Sequence, residues 1–66
     1  MRLRIDGLEE TWPDGLSLGE ILRRRGDPTD HVLVERNGRH VRRDALDETF
    51  PQDGDAIEVI LPAHGG

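Results

Sequence analysis

One stretch of this chain, Ser17 to Gly26, has the spacing and punctuation of an amphipathic helix, and its apolar stripe is only about two turns long. Ser17-Leu18-Gly19-Glu20 fits a capping box, in which the Ser17 hydroxyl accepts from the Glu20 backbone N–H and the Glu20 carboxylate reaches back to the Ser17 N–H. Leu16 and Ile21 are spaced for a hydrophobic staple, and Leu18, Ile21 and Leu22 stand at i, i+3 and i+4. Arg23, Arg24 and Arg25 complement the negative end of the helix dipole, and Gly26 is a suitable left-handed stop. A helix this short covers one face of a sheet, so the chain is expected to form one sheet with one helix on one side.

The flanking segments supply that sheet. Leu3 and Ile5 alternate with Arg2 and Arg4, and Asp6-Gly7 reads as a hairpin turn into a second strand over residues 8–12. Pro13-Asp14-Gly15 ends it. A third strand over residues 31–36 carries Val32 and Val34 on one face, and Asn37-Gly38 turns it into a brief strand over residues 39–41. Residues 42–52 show no clean period; one helical turn over 44–47 is expected, with Leu46 and Phe50 tucked under the sheet edge. After Asp53-Gly54-Asp55, a last strand over residues 56–61 places Ile57, Val59 and Leu61 toward the core. Leu33 and Ile60, opposite in phase, fall on the sheet face without a helix and form the expected partner-docking surface. The other carboxylates, Asp53 and Asp55 included, read as turn or solvated residues.

Composition narrows the function. The chain has 66 residues and no cysteine, which removes disulfides and thiolate metal sites. Its formal net charge of −5 disfavours nucleic acid and anionic membrane as partners. No segment has the length of a signal peptide's apolar run or a membrane span, so a cytoplasmic location is expected. All nine basic residues are arginine, which codon bias explains and which also avoids amines that attack an activated acyl group. The hydroxyls Thr11, Ser17, Thr29 and Thr49 sit in no nucleophile motif, and His31, His40 and His64 lack ligand spacing, so neither catalysis nor a metal is expected.

The sequence closes on Pro62-Ala63-His64-Gly65-Gly66. Glycine has no Cβ, so an extended Gly-Gly can enter a narrow channel and carry a main-chain carboxylate to another enzyme's nucleotide site. Residues 1–66 are expected to form one domain, with 62–66 a flexible tail.

The chain resembles the ThiS/MoaD family of ubiquitin-like sulfur carriers. The similarity runs over its whole length through Pro13-Asp14-Gly15-Leu16-Ser17-Leu18 with Glu20-Ile21-Leu22, Val34-Glu35-Arg36-Asn37-Gly38, Gln52-Asp53-Gly54-Asp55-Ala56-Ile57-Glu58-Val59 and Gly65-Gly66. By length it is most similar to the thiamine-biosynthesis branch. The resemblance implies an α+β, β-grasp fold: a mixed sheet of four to five strands on one main helix, with a Gly-Gly tail. It further implies a protein cosubstrate rather than an enzyme, with no bound cofactor and monomeric when free. A ThiF-like adenylating enzyme would use ATP and Mg to activate the Gly66 carboxyl, with Gly65 and His64 threading the tail. A sulfur donor such as a cysteine desulfurase would make the thiocarboxylate, and thiazole synthase would take the sulfur. Alternatives are sulfur delivery to molybdopterin or another metabolite, protein modification through the same carboxyl, and a non-covalent binding module. Two departures from the family pattern stand out. Arg36 occupies a position usually apolar, where it is expected to snorkel outward, and Pro62 is more typical of the molybdopterin branch.

Overall fold

The structure is a computed structural model that describes residues 1–62. Five strands and one α-helix follow in the order β1 (Arg2–Ile5), β2 (Leu8–Thr11), α1 (Leu18–Arg25), β3 (Leu33–Arg36), β4 (Arg39–Val41) and β5 (Ala56–Ile60), with a 3-10 helix at Arg43–Glu48 between β4 and β5. The sheet order is β2-β1-β5-β3-β4, so the last strand of the sequence lies in the middle. β5 runs parallel to β1 and antiparallel to β3. This mixed sheet on a single α-helix is the expected β-grasp architecture.

Local chemistry sets the element ends. Ser17 Oγ accepts from the Glu20 N–H at 3.1 Å, as the capping box requires. The return bond differs: the Ser17 hydroxyl donates to Glu20 Oε1 at 3.3 Å, so the serine side chain serves both halves of the cap. At the other end Gly26 takes a φ of 87°, its N–H reaches Arg23 O, and the Asp27 N–H reaches Leu22 O at 2.9 Å. This pair of bonds is a Schellman stop, open to glycine because a Cβ is disfavoured in that region. Both hairpins use paired positive φ values, 51° and 84° at Asp6-Gly7 and 52° and 81° at Asn37-Gly38. That geometry matches the twist of the strands it joins.

Leu3, Ile5, Leu18, Ile21, Leu22, Val32, Val34, Leu46 and Ile57 are buried together between the sheet and α1. The cysteine-free chain depends on this cluster, each fully buried aliphatic side chain contributing about 1.5–3 kcal/mol. The α1 helix and the 3-10 helix approach closely at Gly19, where the Asp47 carboxylate occupies the space a Cβ would take.

Several expectations are corrected. Leu61 is 64% exposed rather than in the core, because β5 stops at Ile60 and Leu33, the first residue of β3, pairs with Ile60. Phe50 is 55% exposed, and Pro51 takes the inward position instead. The single expected turn at 44–47 is a longer 3-10 helix. His31 and Val32 precede β3, held by bonds to Pro28 O, although Val32 still reaches the core. Arg36 does not simply snorkel outward; it is ion-paired with Asp55, which is itself buried rather than solvated.

Candidate functional site

The central position of β5 governs everything that the carboxyl-terminal segment can do. Its first residues are clamped. Arg4 N–H donates to Asp55 O at 2.9 Å, Gly54 N–H to Arg2 O at 2.7 Å, and Arg2 N–H to Asp53 Oδ1 at 2.6 Å. Asp55 adds a side-chain network: its Oδ2 accepts from Arg36 Nε and from the Gln52 N–H, both at 2.8 Å, and its Oδ1 accepts from Asn37 Nδ2 at 3.0 Å. Asn37 in turn accepts the Ala56 N–H at 2.9 Å. Burial pushes the Asp55 carboxyl up, but the hydrogen bonds from Gln52, Asn37 and Arg36, together with the Arg36 charge, outweigh it and leave the group below the ordinary carboxylate value.

The far end of β5 is apolar and open. Asp6 N–H donates to Ile57 O at 2.9 Å and Asp6 Oδ1 accepts the Val59 N–H at 2.8 Å, so the β1–β2 turn secures the strand as far as Val59. Ile60 pairs in register with Leu33, and directly opposed residues share a face. They are 41% and 43% exposed, on the face away from α1, and Leu61, just beyond the strand, is exposed as well. The expected docking pair is therefore brought together by the β3–β5 register.

Gly66, Gly65 and His64 lie outside the described residues. Of the other histidines, His31 precedes β3 and His40 lies on β4. Among the described residues no three His, Asp or Glu side chains are grouped to hold a metal ion, and no helix is long and apolar enough to cross a membrane. The Asp55–Arg36–Asn37 network also escaped sequence reasoning. Its signal was the polar Arg36 in an inward phase, which calls for a buried partner.

Comparison with known proteins agrees with this geometry. The model of the ThiS family matches residues 3–66. A crystal structure of a thiamine biosynthesis protein (ThiS) from Geobacter metallireducens superposes with a TM-score of 0.83 at 36% identity, covering 100% of both chains. A solution NMR structure of a thiamine biosynthesis protein from Geobacter metallireducens gives a TM-score of 0.76 at 33% identity over 100% of this chain and 88% of that one. With the sheet order, the cap, the Asn37-Gly38 turn and a match that runs through the whole fold, this chain belongs to the ThiS family.

Proposed function

We propose that this protein is a sulfur carrier of thiamine biosynthesis that works in the cytoplasm as a cosubstrate, not as a catalyst. The observation that carries the reading is the ThiS-family match, which continues through Gly65-Gly66. In this reading a ThiF-like enzyme joins the Gly66 carboxylate to the AMP moiety of ATP with release of pyrophosphate, Mg accompanying the nucleotide. The acyl adenylate is an electrophile. Sulfide displaces AMP and leaves a thiocarboxylate on Gly66 directly. Where the donor is a persulfide, as on a cysteine desulfurase, its terminal sulfur displaces AMP to give an acyl disulfide, which a second thiol reduces to the thiocarboxylate while being oxidised to a disulfide. Thiazole synthase then takes the sulfur, and the carboxylate returns for another cycle.

The chain's own parts have separate roles in this scheme. Leu33 and Ile60, with Leu61, dock on the partner enzymes, while Gly65 and His64 thread the tail into the nucleotide site. Only six residues separate the end of β5 from Gly66 inclusive, a reach of at most about 20 Å, so docking and threading occur on one partner together.

The test is the intact mass of the protein after incubation with MgATP, a ThiF-like adenylating enzyme and a sulfur source. A gain equal to exchanging one oxygen for sulfur, located at Gly66 and dependent on ATP, is expected. No gain with a demonstrably active enzyme from the same source overturns the carrier reading, and higher-mass conjugates with other proteins would assign the activated carboxyl to protein modification. Gly66→Ala should leave folding intact and slow activation at least about tenfold, since its methyl group must enter a channel shaped for bare backbone. Adenylation at the normal rate would remove the threading argument.

A further inference from the structure

Charge is unevenly distributed along this acidic chain. Residues 36–43 hold four arginines and no carboxylate, whereas the other 58 residues hold five arginines and all 14 Asp and Glu, a balance of −9. The fold collects the basic segment on the β3–β4 hairpin and the start of the 3-10 helix that follows it, at one outer edge of the sheet. Between β4 and the 3-10 helix lies an open groove of about 510 Å³, with Arg36, Arg39 and Arg42 on its walls and Val41 and Ala45 among its lining.

The local carboxylates neutralise part of this charge. Arg36 is paired with Asp55 and Arg42 with Asp44, while the Arg43 guanidinium donates to Val32 O. Arg39 has no ion pair among the described residues. It also stands directly across from Arg36, whose counter-charge Asp55 is already engaged, so of this pair it is Arg39 that has none. The backbone adds a second feature. Arg36 and Arg39 flank the two-residue turn and form a hydrogen-bonded pair, so the alternation of an antiparallel ladder leaves the N–H and C=O of His40 directed away from β3. An exposed edge strand beside a basic groove with apolar lining fits an extended chain that pairs with backbone, buries alternate apolar residues and carries carboxylates.

We infer that the groove along β4 docks an extended acidic segment of a partner protein. The occupant is a short segment rather than a nucleic acid, because the strongly negative remainder of the chain repels a long polyanion on either side of the hairpin. This surface lies at the opposite side of β3 from Ile60, and its use does not depend on the fate of Gly66.

The full chain, isotopically labelled, is titrated with a blocked eight-residue peptide alternating glutamate and valine, and backbone amide shifts are followed by NMR. Saturable shifts centred on Arg39, His40 and Val41 are expected, with affinity falling at least about tenfold between about 50 mM and about 300 mM salt. The double variant Arg39→Glu with Arg42→Glu should abolish them, while Arg24→Glu, an exposed charge change on α1, leaves them in place. Arg39 and Arg42 are both exposed, so an unchanged thermal midpoint keeps the comparison interpretable. Shifts spread over the whole surface, survival of binding in the double variant, or equal shifts from inorganic phosphate alone would each overturn the inference, the last by assigning a small-anion site.

Discussion

The two ends of β5 differ in almost every physical respect. Its entry is polar and fully satisfied, with one carboxylate, Asp55, accepting from three residues at 2.8–3.0 Å. Its exit is apolar and exposed: Ile60, paired with Leu33, and Leu61 beyond it both reach solvent where the strand ends. The contrast separates two tasks. The entry holds the register, because a slip of one residue would turn Ile57 and Val59 to the wrong face and pull Asp55 from Arg36. The exit leaves apolar surface exposed, next to the segment that carries the proposed chemistry.

The largest effect should come from breaking the entry end through its core neighbour. Ile57 is 1% exposed and lies against Ile5, so Ile57→Ala should cost about 2–4 kcal/mol in urea denaturation. A loss under about 1 kcal/mol would mean that the centre of the sheet can collapse around the missing atoms. Asp55→Ala should follow, at about 2–3 kcal/mol, because it strands an arginine and two amide donors in a half-buried site. If this variant were as stable as the parent, water would be replacing the carboxylate and the entry would not hold the register.

The pH dependence sharpens the same point. The folded Asp55 carboxyl titrates below its ordinary value of 3.8, so protonation disfavours the folded state. Its contribution is complete above the unfolded value and is lost as pH falls from there through the lower folded value. Comparing the urea midpoint of the protein with that of Asp55→Asn across that acid range should show a stability difference that shrinks as pH falls. A constant difference would assign the acid sensitivity to other carboxylates.

The smallest effect on stability is expected at the exit. Ile60→Asp should cost about 1 kcal/mol, the range of strand propensity, while weakening partner-enzyme binding at least about tenfold. Equal losses in stability and binding would place Ile60 in a structural role and remove it from the docking surface.

Arg25 shows where sequence reading stops. Its place in the last turn of α1 accounts for its charge through the helix dipole. In the fold it also bridges Glu10 of β2, at 3.2 Å, and Asp27, and Glu10 accepts from the Trp12 indole at 2.9 Å. The same guanidinium thus ties the helix end to the sheet, a link 15 residues apart that no local pattern announces. Leu61 and Phe50 fail for the complementary reason: an apolar residue in the right phase is buried only where a neighbouring element reaches it.

What the sequence alone determined was whatever depends on residues within about one turn or one hairpin: the Ser17 cap, the Gly26 stop, the Asp6-Gly7 and Asn37-Gly38 turns, and the inward phase of Leu3, Ile5, Val32, Val34 and Ile57. These follow from local hydrogen bonding and side-chain period. Only the tertiary structure decided that Asp55 is buried against Arg36, 19 residues away, that Leu33 meets Ile60, and that Arg36, Arg39 and Arg42 line one edge groove. Each of those depends on which strands become neighbours, and strand order is set by the burial of the whole core rather than by any segment within it.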